Sequence, residues 1–319
     1  VEVPSPGPDD VVVQVTLCGI CGSDVGYIAM GGLGMAQPMP LGHELVGSVQ
    51  QAGSNVTGVS VGDRVVVNPM AAGNSIGNGG PEGGFAPQLL VRDVAGHPDA
   101  LLPVPEGLGD EQAALVEPLS VALHGCHRGQ VTAADRAVVF GAGPIGLCTV
   151  ACLRHLGVED VVVVDLSDFR LQAAADLGAT PFRPGSAELS DCLRARHGEA
   201  DLLGMPVPAT TVYFEATGAA PVFDQIVRTA GPGARVVVLG LHKQPVSMDL
   251  ANLLMRELQV VGSMAYPDEF PAVIAMLAAG SIDMGPMVSH RFPLSRFHEA
   301  LARARNGDSA AKVLVDCQA

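Results

Sequence analysis

A glycine-rich turn followed by an acidic residue is the feature of this sequence whose spacing most strongly indicates chemistry. The turn is Gly141-Ala142-Gly143-Pro144-Ile145-Gly146, and Asp165 ends the next apolar run along the chain. An apolar segment at 137–140 precedes the turn, and a helical pattern from 147 to 156 follows it. Set between a strand and a helix, with an acid at the end of the second strand, this pattern predicts a dinucleotide-binding turn.

Each part of the turn has a physical role. Gly141 permits a tight turn, Gly143 lets the backbone approach a pyrophosphate, and Gly146 lets the helix pack closely on the sheet. Asp165 can accept hydrogen bonds from the ribose 2′-hydroxyl and would repel a 2′-phosphate, which favours NAD over NADP. Arg170 can cover an adenine with its planar guanidinium or reach a 2′-phosphate, and as a helix residue it can also simply be solvated.

Four residues upstream of the turn could bind a cation together. They are Cys21, His43, Glu44 and Glu117. A thiolate, an imidazole and carboxylates suit Zn²⁺, which accepts sulfur, nitrogen and oxygen ligands in a tetrahedral arrangement. Taken singly, a cysteine is commonly a core residue, a histidine is commonly just hydrogen-bonded, and a glutamate is commonly solvated.

Composition limits the classes of partner. The chain has 319 residues, enough for two domains, and a formal net charge of −15. This charge disfavours nucleic acid and anionic membrane surfaces as partners. Seven scattered cysteines without a visible secretion signal predict reduced thiols and a cytoplasmic location.

The pattern of apolar runs divides the chain into two kinds of unit. Residues 1–124 read as an all-β unit, and from about 125 strands alternate with helices, as in a doubly wound parallel sheet. The segment from 265 to 319 is expected to return to the first unit. The stretch at about 184–210 reads as a loose linker.

Five motifs occur in a characteristic order. They are Gly19-Ile20-Cys21-Gly22-Ser23-Asp24, Gly42-His43-Glu44, Gly62-Asp63-Arg64-Val65, Glu117-Pro118-Leu119-Ser120-Val121 and the glycine turn, extended by 214–218 and 290–294. Together they resemble the zinc-dependent medium-chain dehydrogenases, and the subgroup they most resemble is the sorbitol (polyol) dehydrogenases. The resemblance implies a GroES-like catalytic β domain (1–124 and 265–319), a Rossmann NAD-binding domain (125–264), and an active site between them.

The resemblance also implies roles for individual residues. Cys21, His43 and Glu44 would hold one catalytic zinc, with Glu117 contacting it directly or through water. Ser23 would begin a proton path, and Tyr27, Glu117 and Tyr266 would contact substrate. The NAD site would comprise Gly141, Gly143, Pro144, Ile145, Gly146, Asp165, Arg170, Thr217, Leu239, Gly240, Leu241, Ser263, Met264 and Ala265. A homodimer or homotetramer is expected, because the edge of the parallel sheet commonly pairs across a two-fold axis in this family.

The sequence departs from the family pattern in four places. Residues 68–84 contain no cysteine, so no structural zinc is expected. Gly26 stands where a relay histidine often lies, and Ala265 stands where a polyol-binding arginine is expected. Family chains also usually carry some two dozen residues before this sequence starts.

Two classes of alternative stay open at this stage. The substrate could be a diol such as butanediol, an amino alcohol such as threonine, or an idonate-type sugar acid. The chain could also be a metal-free nucleotide-binding protein that has kept the fold.

Overall fold

The computed structural model describes residues 5–34 and 38–319. The strands are β1 Val11–Gly19, β2 Glu44–Ala52, β3 Arg64–Val67, β4 Gln88–Val91, β5 Leu101–Pro103, β6 Arg136–Phe140, β7 Asp160–Val164, β8 Thr180–Phe182, β9 Glu199–Leu202, β10 Met205–Pro208, β11 Val212–Glu215, β12 Arg235–Val238, β13 Gln259–Gly262, β14 Val288–Pro293 and β15 Lys312–Asp316. The helices are α1 Gly22–Met30, α2 Asp110–Ala113, α3 Val116–Arg128, α4 Pro144–His155, α5 Asp168–Asp176, α6 Leu189–His197, α7 Ala220–Thr229, α8 Leu250–Met255, α9 Phe270–Ala278 and α10 Phe297–Ala304.

The first sheet carries the predicted metal ligands. Its strand order is β14-β15-β1-β2-β3-β5, with β4 also paired to β1. β1 pairs antiparallel with β2, and Gly19 at the end of β1 lies opposite Glu44 at the start of β2. The late strand β15 lies between β14 and β1, so the chain returns to the first sheet after completing the second.

The second sheet is the predicted doubly wound parallel sheet. Its order is β13-β12-β11-β6-β7-β8, and every pair in it is parallel. β6 and β7 are buried almost throughout, as expected for strands covered by helices on both faces. The predicted architecture, a β domain followed by a doubly wound parallel-sheet domain, is confirmed.

A shared apolar core joins the two sheets through helix α3. One cluster of buried side chains runs from Leu17 and Val46 of the first sheet through Leu119 of α3 to Val139 of the second. The predicted boundary at residue 124 falls inside α3, which extends from Val116 to Arg128. Because α3 packs on both units, groups at its two ends have fixed positions relative to both.

Two sequence interpretations of local structure were wrong. The first unit is not all-β, since α1 forms at Gly22–Met30 despite its two glycines. Its start is stabilised by the carboxylate of Asp24, which accepts from the backbone N–H of Cys21 at 2.9 Å, and Gly31 ends it with φ of 74°.

The stretch 184–210 is not a linker but contains α6 and the hairpin β9–β10. The hairpin escaped detection because Leu203 precedes Gly204 in its turn, and both residues have positive φ, 53° and 85°. Two-residue hairpin turns of this kind usually contain Asn-Gly or Asp-Gly.

Across the described residues, the structure contains no helix long and apolar enough to span a membrane.

Candidate metal and cofactor site

The sheet register brings three predicted metal ligands together. Cys21 follows the end of β1, while His43 and Glu44 lie at the start of the neighbouring β2. One potential ligand atom from each of the three lies within 4.8 Å of the others. Gly19 is required beside them, because a β-carbon there would lie 2.2 Å from Glu44 Oε2.

Asp24 connects the two segments that carry these ligands. Its buried carboxylate accepts from the backbone N–H of Cys21 at 2.9 Å and of Gly42 at 3.2 Å. His43 Nδ1 lies 3.7 Å from the same carboxylate. The Asp24 carboxylate therefore lies beside the imidazole without a hydrogen bond to Nδ1. The 19–24 motif of the sequence contains Asp24, but no local pattern predicts its role.

The two carboxylate oxygens of Glu44 have different surroundings in the described part of the chain. Lys312 Nζ donates to Glu44 Oε2 at 2.5 Å and to the carbonyl of Ile20 at 3.2 Å. Both side chains of the ion pair are 1% exposed. Burial alone would lower the pKa of Lys312, but the adjacent Glu44 and Cys21 raise it above its usual value. Glu44 Oε1 is buried and has no hydrogen-bond partner among the described residues.

The cluster fits a metal cation by both its chemistry and its charge. The buried atoms without hydrogen-bond partners among the described residues include His43 Nδ1 and Glu44 Oε1 of this cluster, and the Oγ of Ser23, two residues after Cys21. Burial alone would lower the pKa of His43, but Cys21, Glu117 and Asp24 raise it to about 10. Surroundings that favour a positive charge this strongly, with thiol, imidazole and carboxylate ligands, are suited to Zn²⁺.

Glu117 adjoins the cluster without belonging to it. It lies in the first turn of α3, and the set of mutually close ligand atoms in the described chain comprises only Cys21, His43 and Glu44. Burial raises the pKa of Glu117 to about 7, against the lowering effect of nearby His43. Tyr266, which is 4% exposed, faces this carboxyl group, and burial followed by Glu117 raises the pKa of its hydroxyl. Contact of Glu117 with zinc, directly or through water, stays a prediction.

A left-handed turn directs Tyr266 inward. Ala265 has φ of 57°, and the preceding Met264 is 84% exposed. A non-glycine residue in this region is mildly strained, and such strain is typical of functional sites. Of the other predicted substrate residues, Tyr27 lies on α1, and its hydroxyl is 3.5 Å from Asn78 Oδ1 in the cysteine-free loop.

The glycine turn has the geometry of a phosphate cradle. Gly141 has φ of 96°, and a β-carbon on Gly146 would lie 1.7 Å from the carbonyl oxygen of Gly141. Gly143 caps α4 and Pro144 occupies its first turn. Asp165 braces the turn, because its Oδ2 accepts from the backbone N–H of Ala142 at 2.6 Å. The half-buried N-terminus of α4 could therefore bind an anion.

Arg170 lies beside the glycine turn. Its Nη1 is 3.8 Å from the position that a β-carbon on Gly143 would take. Its Nε donates to the carbonyl of Ala310, in the segment before β15, at 2.9 Å. Arg170 thus joins the dinucleotide-binding turn to the first sheet.

The remaining predicted cofactor residues follow the carboxyl ends of the other parallel strands. Thr217 follows β11, 239–241 follow β12, and 263–265 follow β13. Ligands of open parallel sheets bind at these ends, where the strand order reverses, here between β6 and β11. The sequence patterns did not predict three residues at these two sites. They are Asp24 and Lys312, beside the metal ligands, and Glu215, at the end of β11.

Comparison with known proteins agrees with this architecture. Residues 7–106 match the family described as alcohol dehydrogenase GroES-like domain, and residues 144–279 match zinc-binding dehydrogenase. Human sorbitol dehydrogenase is 34% identical over 330 residues, covering 99% of this chain and 91% of the relative.

Two solved structures illustrate the fold similarity. The 2R,3R-butanediol dehydrogenase of Bacillus subtilis matches with a TM-score of 0.87 and 29% identity, over 99% of this chain and 94% of the other. An alcohol dehydrogenase from Escherichia coli CFT073, complexed with NADH, matches with a TM-score of 0.85 and 28% identity over the same shares.

The chain belongs to the zinc-dependent medium-chain dehydrogenase family and resembles sorbitol dehydrogenase. It is a zinc- and nicotinamide-dependent oxidoreductase of the alcohol and polyol dehydrogenase type. The alternative of a metal-free nucleotide-binding protein is not favoured, because all three metal ligands are present and meet.

Proposed function

We propose that this enzyme transfers a hydride between NAD and the secondary alcohol or ketone carbon of a small polyol or sugar derivative. One zinc ion per chain is held by Cys21, His43 and Glu44. The observation that supports this most directly is the convergence of these three ligands. The buried hydroxyl of Ser23, two residues after Cys21, adds to it, because it lacks a partner among the described residues. When bound, zinc supplies a Lewis acid that lowers the pKa of an alcohol.

The chain's own residues account for the other requirements of the reaction. The glycine turn and Arg170 bind the pyrophosphate, and Asp165 holds the adenosine ribose. Ser23 Oγ accepts a hydrogen bond from the substrate hydroxyl and can relay its proton by passing its own hydroxyl proton on to water. Glu117, with its pKa raised by burial to about 7, can hold or release a proton near neutral pH. Tyr266 orients this carboxyl group, and Tyr27 contacts a further substrate hydroxyl.

A panel of substrates tests this function. Purified, zinc-loaded enzyme is incubated with polyols, diols, sugar acids, threonine and primary alcohols, and NADH formation is followed by absorbance. Turnover of a secondary alcohol in a polyol or sugar derivative, with one zinc per chain by elemental analysis, supports the proposal. Activity confined to primary alcohols contradicts the substrate class, and two zinc ions per chain contradict the single site.

A butanediol-type activity is the second candidate. Ala265 presents only a methyl group where the family resemblance leads us to expect an arginine, and it lies beside Tyr266. A site with one fewer polar anchor suits a less hydroxylated substrate. A higher kcat/KM for 2,3-butanediol than for any hexitol in the same panel would favour this candidate.

We expect the enzyme to prefer NAD over NADP. Asp165→Ser should reduce the ratio of kcat/KM for NAD to kcat/KM for NADP by roughly tenfold, because removal of the carboxylate relieves the repulsion of a 2′-phosphate. The measurement is the ratio of kcat/KM for the two cofactors. Asp168→Ser is the matched control, because Asp168 in the following helix pairs with Arg183 at the surface. A wild-type enzyme faster with NADP contradicts the prediction.

We also propose a homodimer or homotetramer formed along β13. This strand is at the edge of the parallel sheet, and nearby α8 exposes Leu250 by 68% and Leu254 by 74%. A second copy would pair with the open edge and cover these apolar side chains. Light scattering should give at least twice the monomer mass at micromolar concentration, and Leu254→Glu should reduce it. A monomeric wild-type mass contradicts the proposal.

Two further properties follow from composition. The net charge of −15 supports a role without nucleic acid or membrane partners. Seven free cysteines support a reducing, cytoplasmic location.

A further inference from the structure

The carboxylate of Glu215 is fully buried at the end of β11, and its hydrogen bonds hold the loop that follows. Its Oε1 accepts from the backbone N–H of Thr217 at 2.8 Å and of Gly218 at 2.9 Å. The hydroxyl of Thr217 donates to the same oxygen. One carboxylate oxygen therefore fixes the conformation of residues 216–218.

The second oxygen of Glu215 holds a different loop. His242 Nε2, in the segment after β12, lies 2.9 Å from Glu215 Oε2. The backbone carbonyl of Glu215 accepts from Leu239 and Gly240, each at 2.8 Å. A β-carbon on Gly240 would lie 2.6 Å from Glu215 Oε2, so only glycine fits there. The loops after β11 and β12 thus meet on one side chain.

Among the described residues, His242 has the only lysine, arginine or histidine side chain within 4 Å of the Glu215 carboxylate. Its ring also packs edge-on against Phe223 of α7, with ring centroids 6.2 Å apart. The side chain of His242 is 16% exposed and that of Glu215 is 0% exposed. A carboxylate buried to this degree needs a partner, so the position of His242 is coupled to that of Glu215.

These loops flank one half of the dinucleotide cleft. A doubly wound sheet binds one mononucleotide on each side of the point where its strand order reverses. Asp165 and the glycine turn belong to the adenosine side, with β6 and β7, whereas β11 and β12 belong to the other side. The two sides touch where a β-carbon on Gly141 would meet the Thr217 side chain at 2.9 Å.

We propose that Glu215 and His242 are positioning residues for the nicotinamide half of the cofactor. Glu215 joins the loops after β11 and β12, and His242 keeps the second loop against the first. This inference rests on the proposed dehydrogenase function, because it assumes that NAD is bound across the sheet. It assigns no contact of either side chain with the reacting atoms.

The test compares a complete cofactor with its adenosine half. Dissociation constants for NADH, by fluorescence, and for ADP, by calorimetry, are measured for the wild type and for His242→Ala, His242→Gln and Glu215→Gln. We expect His242→Ala to weaken NADH binding by about tenfold, the equivalent of one hydrogen bond to a charged group. The dissociation constant of His242→Ala for ADP should stay within about twofold of the wild-type value.

His242→Gln should restore most of the NADH affinity, because its side-chain amide can donate to Glu215 in place of Nε2. His155→Ala, at the exposed end of α4, is the matched control and should change neither constant. If Glu215→Gln does not fold, the His242 variants still carry the test.

Unchanged NADH binding in His242→Ala would overturn the inference. So would equal weakening of NADH and ADP, which indicates general destabilisation, or failure of His242→Gln to improve on His242→Ala. A wild-type protein that binds neither NADH nor ADP would instead refute the proposed function.

Discussion

Cys21→Ala is expected to abolish zinc binding and to lower kcat/KM by about 10³-fold or more. A Lewis acid contributes several kcal/mol to stabilising the transition state, and each 1.4 kcal/mol or so changes the rate tenfold. The thiol is the only soft ligand of the cluster, so the two remaining ligands should hold zinc weakly. The measurements are zinc per chain by elemental analysis and steady-state rates with the best substrate of the panel.

Cys192→Ala provides the control for the loss of a thiol. Cys192 lies on α6, on the unit of the parallel sheet, and should keep both zinc and activity. NADH affinity should survive in Cys21→Ala, because the cofactor residues belong to the other sheet. A Cys21→Ala enzyme with one zinc per chain and a wild-type rate would contradict the assigned metal site.

Lys312→Met is expected to destabilise the metal-free enzyme by about 3–5 kcal/mol, because removal of one partner leaves a buried charge on Glu44. For a chain of this size, this corresponds to a decrease in Tm of roughly 5–8 °C. The loss should be smaller in zinc-loaded protein, since the bound cation compensates the same carboxylate. The measurement is thermal unfolding of both forms, compared at one protein concentration.

The chain offers a closely matched control, because it contains only two lysines. Lys243 is exposed, and Lys243→Met should leave Tm within about one degree of the wild type. The double variant Lys312→Met, Glu44→Gln should recover part of the lost stability. Equal Tm values for Lys312→Met and Lys243→Met would show that the ion pair does not stabilise the fold.

The cofactor turn could be predicted from sequence because its determinants are local. Strand, glycines, helix and Asp165 follow one another within about thirty residues, the length of one βαβ unit. The metal ligands could be proposed from their residue types, but only the family resemblance supported them as a set, since two separate segments supply them. Their meeting depends on the register of β1 against β2, which no local pattern determines.

Asp24, Lys312 and Glu215 were missed because their partners are distant or unexpected. Lys312 lies 268 positions from Glu44, and nothing near either residue in the sequence indicates the pair. A signal was nevertheless present: a lone lysine within the apolar run 310–315 must either break the strand or find a buried anion. Glu215 ends a buried strand in the same way, and its partners come from the loops that follow.

The position of β15 has a consequence for biosynthesis. Cys21, His43 and Glu44 are all made early, but the strand that carries the counter-charge of Glu44 is inserted beside β1 only after more than two hundred further residues. Until then, β1 presents an open edge to neighbouring nascent chains. A ribosome-bound intermediate that lacks β15 should therefore keep this edge open even with every metal ligand already translated.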